Sequence, residues 1–210
     1  MSTKIKICGI TNLEDAKAAV HCGADYIGLI FVPNTARHVS LETAATIIDA
    51  LDDEVSIVGV FRNADPQTVD NTVTNLGLSF VQYHGNEPPE SCAYTSQTVI
   101  KSIEVTDVLS ISSYTPYVDF LLFDRPKDSS QNDPIVLVNA IAQLIEDNAQ
   151  LPPYFFAGGL TPENVSEVVK RLNPFAVDVA SGVESSPGKK DLEKLKQFCK
   201  SVKETSLCSH

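Results

Sequence analysis

The feature that most constrains this chain is a regular alternation between two hydrophobic periods, repeated eight times along its length. Short apolar runs are each followed by a stretch in which apolar residues recur every three or four positions, as on one face of a helix. We predict strands over residues 4–8, 25–31, 55–61, 79–84, 98–103, 118–124, 154–157 and 175–179. These runs are almost continuously apolar, which is typical of a parallel sheet covered on both faces.

The intervening helices carry recognisable start and stop signals. Asn12 is placed to cap the first helix, Gly23 to end it, and Asp65-Pro66 to begin the third. We predict helices over residues 13–22, 41–51, 66–76, 134–148, 161–172 and 190–203, with weaker helical patterns at 88–90 and 105–114.

Eight strand–helix units predict an α/β fold, a single (β/α)8 TIM barrel of the phosphate-binding type over residues 1–210, with residues 204–210 as a flexible tail. A length of 210 residues fits one such domain. The alternative is an open, doubly wound sheet. That fold usually has fewer strands and a G-x-G-x-x-G turn after its first strand, a turn that is missing here.

The net charge and the cysteine spacing exclude several classes of partner and of site. A formal net charge of −11, without a run of basic residues, argues against nucleic acid or an anionic membrane as partner, and leaves a small anionic metabolite. The five cysteines are far apart and form no C-x-x-C pair, so neither a disulfide framework nor a zinc site is indicated. No secretory signal and no long apolar stretch is evident, so we expect a cytoplasmic protein, either a monomer or a homodimer.

Barrel enzymes carry their active sites at the carboxyl ends of the strands, so the residues there are the first candidates. Cys8 ends the first strand and is either a small buried hydrophobe or a reactive thiol. Asp124 closes the sixth, and is either a partnered structural acid or a functional one. Arg37 is either a solvated loop residue or a fork for a substrate carboxylate, and His84 is interpreted first as a hydrogen-bonded rim residue.

Two glycine-containing loops predict a phosphate site. Gly158-Gly159 directly precedes a helix after the seventh strand, and Ser181-Gly182 follows the eighth. Glycine lets backbone amides approach phosphate oxygens closely, and the loops after strands 7 and 8 form a recurrent phosphate site in barrels of this kind.

A family resemblance rests on seven features in order along nearly the whole chain: KICGIT at residues 6–11, GADYIG at 23–28, Arg37, VGVF at 58–61, VQYHG at 81–85, AGGLTPENV at 157–165 and VDVASGVE at 177–184. Together they resemble the phosphoribosylanthranilate isomerases of tryptophan biosynthesis. The resemblance implies an Amadori rearrangement of N-(5-phosphoribosyl)anthranilate to 1-(2-carboxyphenylamino)-1-deoxyribulose 5-phosphate. It also implies that neither a metal nor an organic cofactor takes part.

The resemblance assigns a role to each candidate. Cys8 matches the family's general base, which would need a lowered thiol pKa, and Asp124 its general acid, which would need a raised pKa. Arg37 matches the contact to the anthranilate carboxylate, and Asp178 is placed to reach a ribose hydroxyl. The residues that match the phosphate cradle are Gly158, Gly159, Ser181 and Gly182.

One segment departs from the family pattern. The family usually carries a Gly-Gly-Thr-Gly segment after the sixth strand, whereas residues 125–134 here contain no glycine. Ser, Asn or Lys contacts would have to replace its backbone amides, and Lys127 is a candidate to offset part of the phosphate binding. This motivates an alternative, a phosphate-binding barrel with reduced or lost catalysis. A second alternative is a sibling enzyme acting on another phosphoribosyl amine. Indole-glycerol-phosphate synthase would need a lysine and a glutamate in the barrel mouth, and only Lys101 is evident.

Overall fold

Eight parallel strands close into a barrel in chain order, and β8 pairs with β1. The structure is a computed structural model that describes residues 2–51, 55–104, 111–125, 134–147 and 151–208. The strands are β1 Lys4–Cys8, β2 Tyr26–Ile30, β3 Ser56–Phe61, β4 Phe80–Tyr83, β5 Thr98–Glu104, β6 Phe120–Asp124, β7 Tyr154–Phe156 and β8 Ala176–Val179. The predicted (β/α)8 barrel is confirmed, and the open-sheet alternative is wrong because the sheet closes.

The helices cover the outside of the barrel. They are α1 Leu13–Cys22, α2 Leu41–Leu51, α3 Pro66–Leu76, α4 Ile111–Tyr114, α5 Pro134–Asp147, α6 Val165–Leu172 and α7 Leu192–Cys208. The predicted caps are present: the Asn12 side chain accepts a hydrogen bond from the Asp15 amide, and Gly23 ends α1 in the left-handed region. Asp65 likewise accepts from the Thr68 amide, with Pro66 in the first turn of α3.

Two connections differ from the expected helices. The pattern at 88–90 leads into a short 3-10 helix, Pro89–Tyr94, because two consecutive prolines remove backbone donors and the segment is too short for α-helical turns. After β5, α4 covers only residues 111–114, and residues 105–110 of the predicted helix lie outside the described residues.

The predicted flexible tail at 204–210 is wrong over its described part. Helix α7 continues to Cys208, and Thr205 and Ser206 are buried. The Ser206 hydroxyl accepts a hydrogen bond from the Thr3 amide at 3.3 Å, which ties the end of α7 to the start of β1.

The end of the barrel interior where the strands begin is filled by aromatic rings. Tyr26, Phe80 and Phe120 begin their strands. Tyr26 and Phe120 pack with Phe155 and Phe175, and Phe80 packs with Tyr26, at ring-centroid distances of 4.7–6.5 Å. Such contacts bury large apolar surfaces and close that end of the barrel. The opposite end, where the strands finish, is left open for polar groups. Among the described helices, none has the length and apolar character needed to cross a membrane.

Candidate active site

A cavity of about 460 Å³ opens at the carboxyl ends of the strands. Its lining includes all eight residues singled out from the sequence: Cys8, Arg37, Asp124, Gly158, Gly159, Asp178, Ser181 and Gly182. The fold therefore brings the predicted site residues together, as expected for barrel enzymes. Their chemical roles stay predictions.

Cys8 stands at the last position of β1, and its residue is only 6% exposed. It pairs in register with Gly28 of β2, where an added Cβ would lie 2.7 Å from the Cys8 sulfur. Gly28 thus leaves the space that the thiol occupies. Burial raises the pKa of the Cys8 thiol, and the neighbouring Lys6 ammonium offsets this only in part. The lowered pKa required of a base is therefore absent before substrate binds.

Lys6 lies two residues before Cys8 on the same inward face of β1, because side chains alternate along a strand. Its ammonium donates to Asp178 Oδ1 at 3.0 Å and also hydrogen-bonds the Cys8 thiol. The Lys6 side chain has no exposed surface and that of Asp178 is 9% exposed, so this is a buried ion pair beneath the thiol. Asp178 lines the cavity with one carboxylate edge committed to Lys6.

Asp124 ends β6 with its carboxylate at the barrel mouth. Oδ1 accepts a hydrogen bond from the Arg125 amide at 2.8 Å, and Oδ2 lies 3.5 Å from His84 Nε2. A Cβ on Gly158 would lie 3.0 Å from Oδ1, so the glycine backbone packs directly against the acid. His84 is thus a titratable side chain that lies directly beside the Asp124 carboxylate.

His84 and Gln82 extend this contact along β4. Gln82 Nε2 lies 3.1 Å from His84 Nδ1, and both side chains line the cavity. Gln82 is 1% exposed, and its Oε1 atom is buried without a hydrogen-bond partner among the described residues. The His84 amide donates to the Phe61 carbonyl at 2.8 Å, which holds the histidine at the strand end.

The predicted phosphate cradle lies between the loops after β7 and β8. Gly158 and Gly159 have φ angles of +92° and +75°, a region that favours glycine. A Cβ on Gly182 would collide with the Leu160 carbonyl oxygen, so glycine is required where the two loops meet. A 3-10 turn, Ser181–Val183, follows β8 at this point.

Arg125 adds a cation to this cradle. Its residue lines the cavity, and its guanidinium Nη1 lies 3.5 Å from the position of an added Cβ on Gly159. It is the first residue of the glycine-free segment, and it places a planar donor group beside the glycine pair. Lys127, which the sequence suggested for this task, lies outside the described residues.

Arg37 is anchored by a buried carboxylate. Its Nε donates to Glu184 Oε1 at 2.9 Å and its Nη2 to Oε2 at 2.6 Å, a bidentate pair that raises the pKa of Arg37. Lys190 Nζ also donates to Glu184 Oε1 at 3.0 Å, and it reaches the carbonyls of Cys8 and Ala180 at 2.7 and 3.0 Å. The guanidinium keeps donors on its other edge for a ligand.

Comparison with known proteins agrees with this geometry. A family model described as N-(5'phosphoribosyl)anthranilate (PRA) isomerase matches residues 5–201. The chain belongs to this family.

Individual members of the phosphoribosylanthranilate isomerase family match along nearly their whole length. The isomerase of Geobacter sulfurreducens is 40% identical over 201 residues, covering 95% of this chain and 98% of the relative. The isomerase of Myxococcus xanthus is 39% identical over 212 residues, covering 99% of both chains.

Solved structures of the family have the same fold. The phosphoribosylanthranilate isomerase of Thermotoga maritima superimposes with a TM-score of 0.87 at 36% identity, covering 96% of this chain and 99% of that one. A family structure in complex with reduced 1-(o-carboxyphenylamino)-1-deoxyribulose 5-phosphate superimposes with a TM-score of 0.83 at 37% identity, covering 96% and 99%. These matches favour the isomerase over the alternatives weighed from the sequence.

Lys101, considered as a lysine for indole-glycerol-phosphate synthase, does have a carboxylate partner. Its ammonium donates to Glu87 Oε2 at 3.0 Å and to the Gly85 carbonyl at 2.6 Å. Glu87 also accepts from the Asn63 and Gly85 amides, at 2.7 and 2.9 Å. Neither Lys101 nor Glu87 lines the cavity, so this buried pair holds the loops after β3 and β4 in place.

Several site residues were missed or undervalued from the sequence. Lys6, Gln82, Arg125, Glu184 and Lys190 have no assigned role there. A charge or amide within an apolar strand is a signal that points to Lys6 and Gln82, whereas Arg125, Glu184 and Lys190 stand in polar segments that carry no such signal. Among the described residues, no cluster of histidine, cysteine or acidic side chains could hold a metal ion.

Proposed function

We propose that this chain catalyses the Amadori rearrangement of N-(5-phosphoribosyl)anthranilate with Asp124 as general acid and Cys8 as general base. The observation that carries the assignment is that both residues line one cavity together with the glycine cradle after β7 and β8. A carboxylic acid and a thiol are the groups that the two proton transfers require.

The first transfer opens the sugar ring. A protonated Asp124 donates its proton to the furanose ring oxygen, the bond from that oxygen to C1 breaks, and the anthranilate nitrogen and C1 become an iminium. The Gly158 backbone and the Arg125 amide hold the Asp124 carboxyl group at the mouth while this occurs. The product of the step is an open chain that carries a positive charge beside Cys8.

The second transfer removes the proton from ribose C2. The thiol pKa, raised by burial in the free protein, falls once the cationic iminium lies next to the sulfur, since an opposite charge favours the thiolate. Lys6 acts in the same direction from beneath. The thiolate takes the C2 proton, the electrons of the C–H bond neutralise the iminium, and the resulting enolamine tautomerises to the ketone.

Binding rests on the two ends of the substrate. Arg37, oriented by Glu184, receives the anthranilate carboxylate on its free edge. Gly158, Gly159 and the Ser181-Gly182 turn receive the phosphate, with the Arg125 guanidinium beside them. This phosphate site combines backbone amides with one cation, which suits a doubly charged anion. The free edge of Asp178 contacts a ribose hydroxyl.

The test is a fluorescence assay that follows loss of freshly made phosphoribosylanthranilate. Cys8→Ala and Asp124→Asn are each expected to lower kcat by about 100-fold or more, the usual contribution of a positioned acid or base. Circular dichroism of both variants should match that of the wild type. Absence of turnover by the wild-type protein, with saturable binding of a product analogue, would overturn the function; near-normal rates in either variant would overturn the role of that residue.

We also propose a cytoplasmic location and either a monomeric or a homodimeric state. One structural relative is described as monomers of a dimeric isomerase from Thermotoga maritima. Light scattering of the purified protein distinguishes the two states. The acid, the base and the anion contacts named above are all side chains or backbone groups of this chain, so the proposed steps use no cofactor.

A further inference from the structure

A proton count over the proposed reaction shows that Asp124 is left without its proton once the ring has opened. When the enolamine has formed, Asp124 has lost one proton to the ring oxygen, and Cys8 has gained one from C2. Asp124 must therefore regain a proton before the next substrate molecule is opened. As the enolamine becomes the ketone, Cys8 gives the proton it took from C2 to C1, and the C2 hydroxyl releases a proton to water. A group that lies beside the Asp124 carboxylate and exchanges protons with water can then return one proton to Asp124.

His84 is placed for this task. Its Nε2 lies 3.5 Å from Asp124 Oδ2, and its side chain is 25% exposed, which gives it contact with solvent. Hydrogen bonds between catalytic groups are often long in the free enzyme and shorten when substrate binds. Imidazole is the side chain that ordinarily gains and loses a proton between pH 5 and 8, so it takes protons from water and passes them on near neutrality.

Gln82 contacts the ring nitrogen of His84 that faces away from Asp124. With its Nε2 facing His84 Nδ1 at 3.1 Å, the amide donates to an unprotonated Nδ1, which leaves the imidazole proton on Nε2, towards Asp124. In this state the buried Oε1 has no partner among the described residues. A half-turn of the amide exchanges Oε1 and Nε2, and Oε1 then accepts from a protonated Nδ1. Gln82 therefore matches both the neutral and the doubly protonated imidazole.

We propose that His84 is a further catalytic residue that reprotonates Asp124 after each turnover, and that Gln82 positions it by turning its amide between two hydrogen-bonding states. This inference rests on the proposed function of Asp124. A proton from water enters at Nδ1, the Nε2 proton passes to Asp124 Oδ2, and the imidazole returns to its neutral form with the remaining proton relocated to Nε2 by exchange with water. His84 takes one proton from water, and the C2 hydroxyl of the enolamine releases one to water as the ketone forms, so the cycle balances.

His84 shares its cavity with several charged or titratable side chains. The charged or titratable side chains that share its cavity are Cys8, Arg37, Arg62, Asp124, Arg125 and Asp178. Asp124 lies within ion-pair distance of the imidazole. The loop that follows His84 is held by the buried Glu87–Lys101 pair, so the ring stays at the strand end while its protons exchange.

The test compares His84→Gln with the wild type, because glutamine keeps a donor near the Nε2 position and cannot exchange protons at neutral pH. In rapid mixing with enzyme in excess, the first turnover of His84→Gln should keep a rate within about twofold of wild type, whereas steady-state kcat at low buffer concentration should fall about tenfold or more. Added imidazole, at constant pH and ionic strength, should restore kcat.

The control is His21→Gln, at an exposed position in the last turn of α1 away from the cavity, which should change neither the first-turnover rate nor kcat.

Gln82→Met keeps the buried volume and removes the amide, and kcat should fall with the first turnover preserved. An unchanged kcat in His84→Gln overturns the proposal. So does an equal loss of first turnover and kcat without an imidazole response, since that pattern belongs to a purely structural contact. Wild-type protein without turnover would instead contradict the proposed function.

Discussion

The buried pair between Lys6 and Asp178 makes a quantitative prediction about stability. The two charges are 3.0 Å apart, with side chains 0% and 9% exposed. Removing one partner of such a pair costs about 3–5 kcal/mol, because the other charge stays buried without compensation. For a chain of this length that loss corresponds to a melting temperature lowered by roughly 6–20 °C, so we expect a shift of this size for Lys6→Met.

The same strand supplies a matched control. Lys4 and Asp25 form an ion pair of similar length, 2.8 Å, but their side chains are 45% and 30% exposed. An exposed pair contributes about 0–1 kcal/mol, so Lys4→Met should lower the melting temperature by less than about 4 °C. The two lysines lie two positions apart on the same face of β1, and they differ in burial because Lys4 stands at the exposed start of the strand.

Thermal melting followed by circular dichroism, with urea titration of the same variants, measures both effects. The double variant Lys6→Met/Asp178→Leu should recover most of the lost stability, since apolar replacement of a buried pair is often neutral or stabilising. The reasoning is refuted if Lys6→Met costs no more than Lys4→Met, or if the double variant is less stable than Lys6→Met alone. Either result would mean that the pair is not a desolvated unit.

Three further predictions follow from the site and its supports. Because burial raises the pKa of the Cys8 thiol, its alkylation by iodoacetamide in the free protein should reach half its maximal rate above about pH 8.5, as followed by mass spectrometry; a midpoint near neutrality would contradict this. Arg125→Ala should raise KM and the inhibition constant of inorganic phosphate about tenfold or more with kcat nearly unchanged, since a hydrogen bond to a charged group contributes about 1.5–3 kcal/mol; unchanged constants would remove Arg125 from the phosphate site. Although burial opposes it, Lys101 and backbone amides lower the pKa of Glu87, so its stabilising effect is complete at neutral pH and is lost as pH falls through its folded-state pKa. The stability lost in Glu87→Gln, measured by urea unfolding, should therefore shrink in acid, and a loss independent of pH would count against the ion pair.

The barrel itself could be predicted because its determinants are local. The strands are nearly continuous apolar runs, and Asn12 and Asp65 mark helix starts at the positions where the structure has them. The exceptions have local causes as well: Pro88-Pro89 prevent a full helix after β4. The end of α7 was mistaken for a tail because Ser206 is polar, and its partner, the Thr3 amide, is 203 residues away in the chain.

The site could be predicted only in part, because its contacts join distant segments. Cys8 and Asp124 stand at strand ends, where the barrel rule directs attention. Lys6 pairs with Asp178 across the junction of β1 and β8, and only closure of the barrel places the two side by side. His84 was interpreted as a rim residue since nothing near it in the sequence reveals that Asp124 would be its neighbour.

The contacts of the Glu184 carboxylate limit the distance between the two anionic ends of a ligand that can bind. The carboxylate holds Arg37 directly, and through Lys190 it is connected to the carbonyls of Cys8 and Ala180, which begin the loops after the neighbouring strands β1 and β8. The proposed carboxylate contact and the strand that carries the thiol are therefore fixed relative to one another. A compound whose two anionic ends are one carbon closer or farther apart should engage only one of the two anion sites, and the barrel would select its substrate by span as well as by charge.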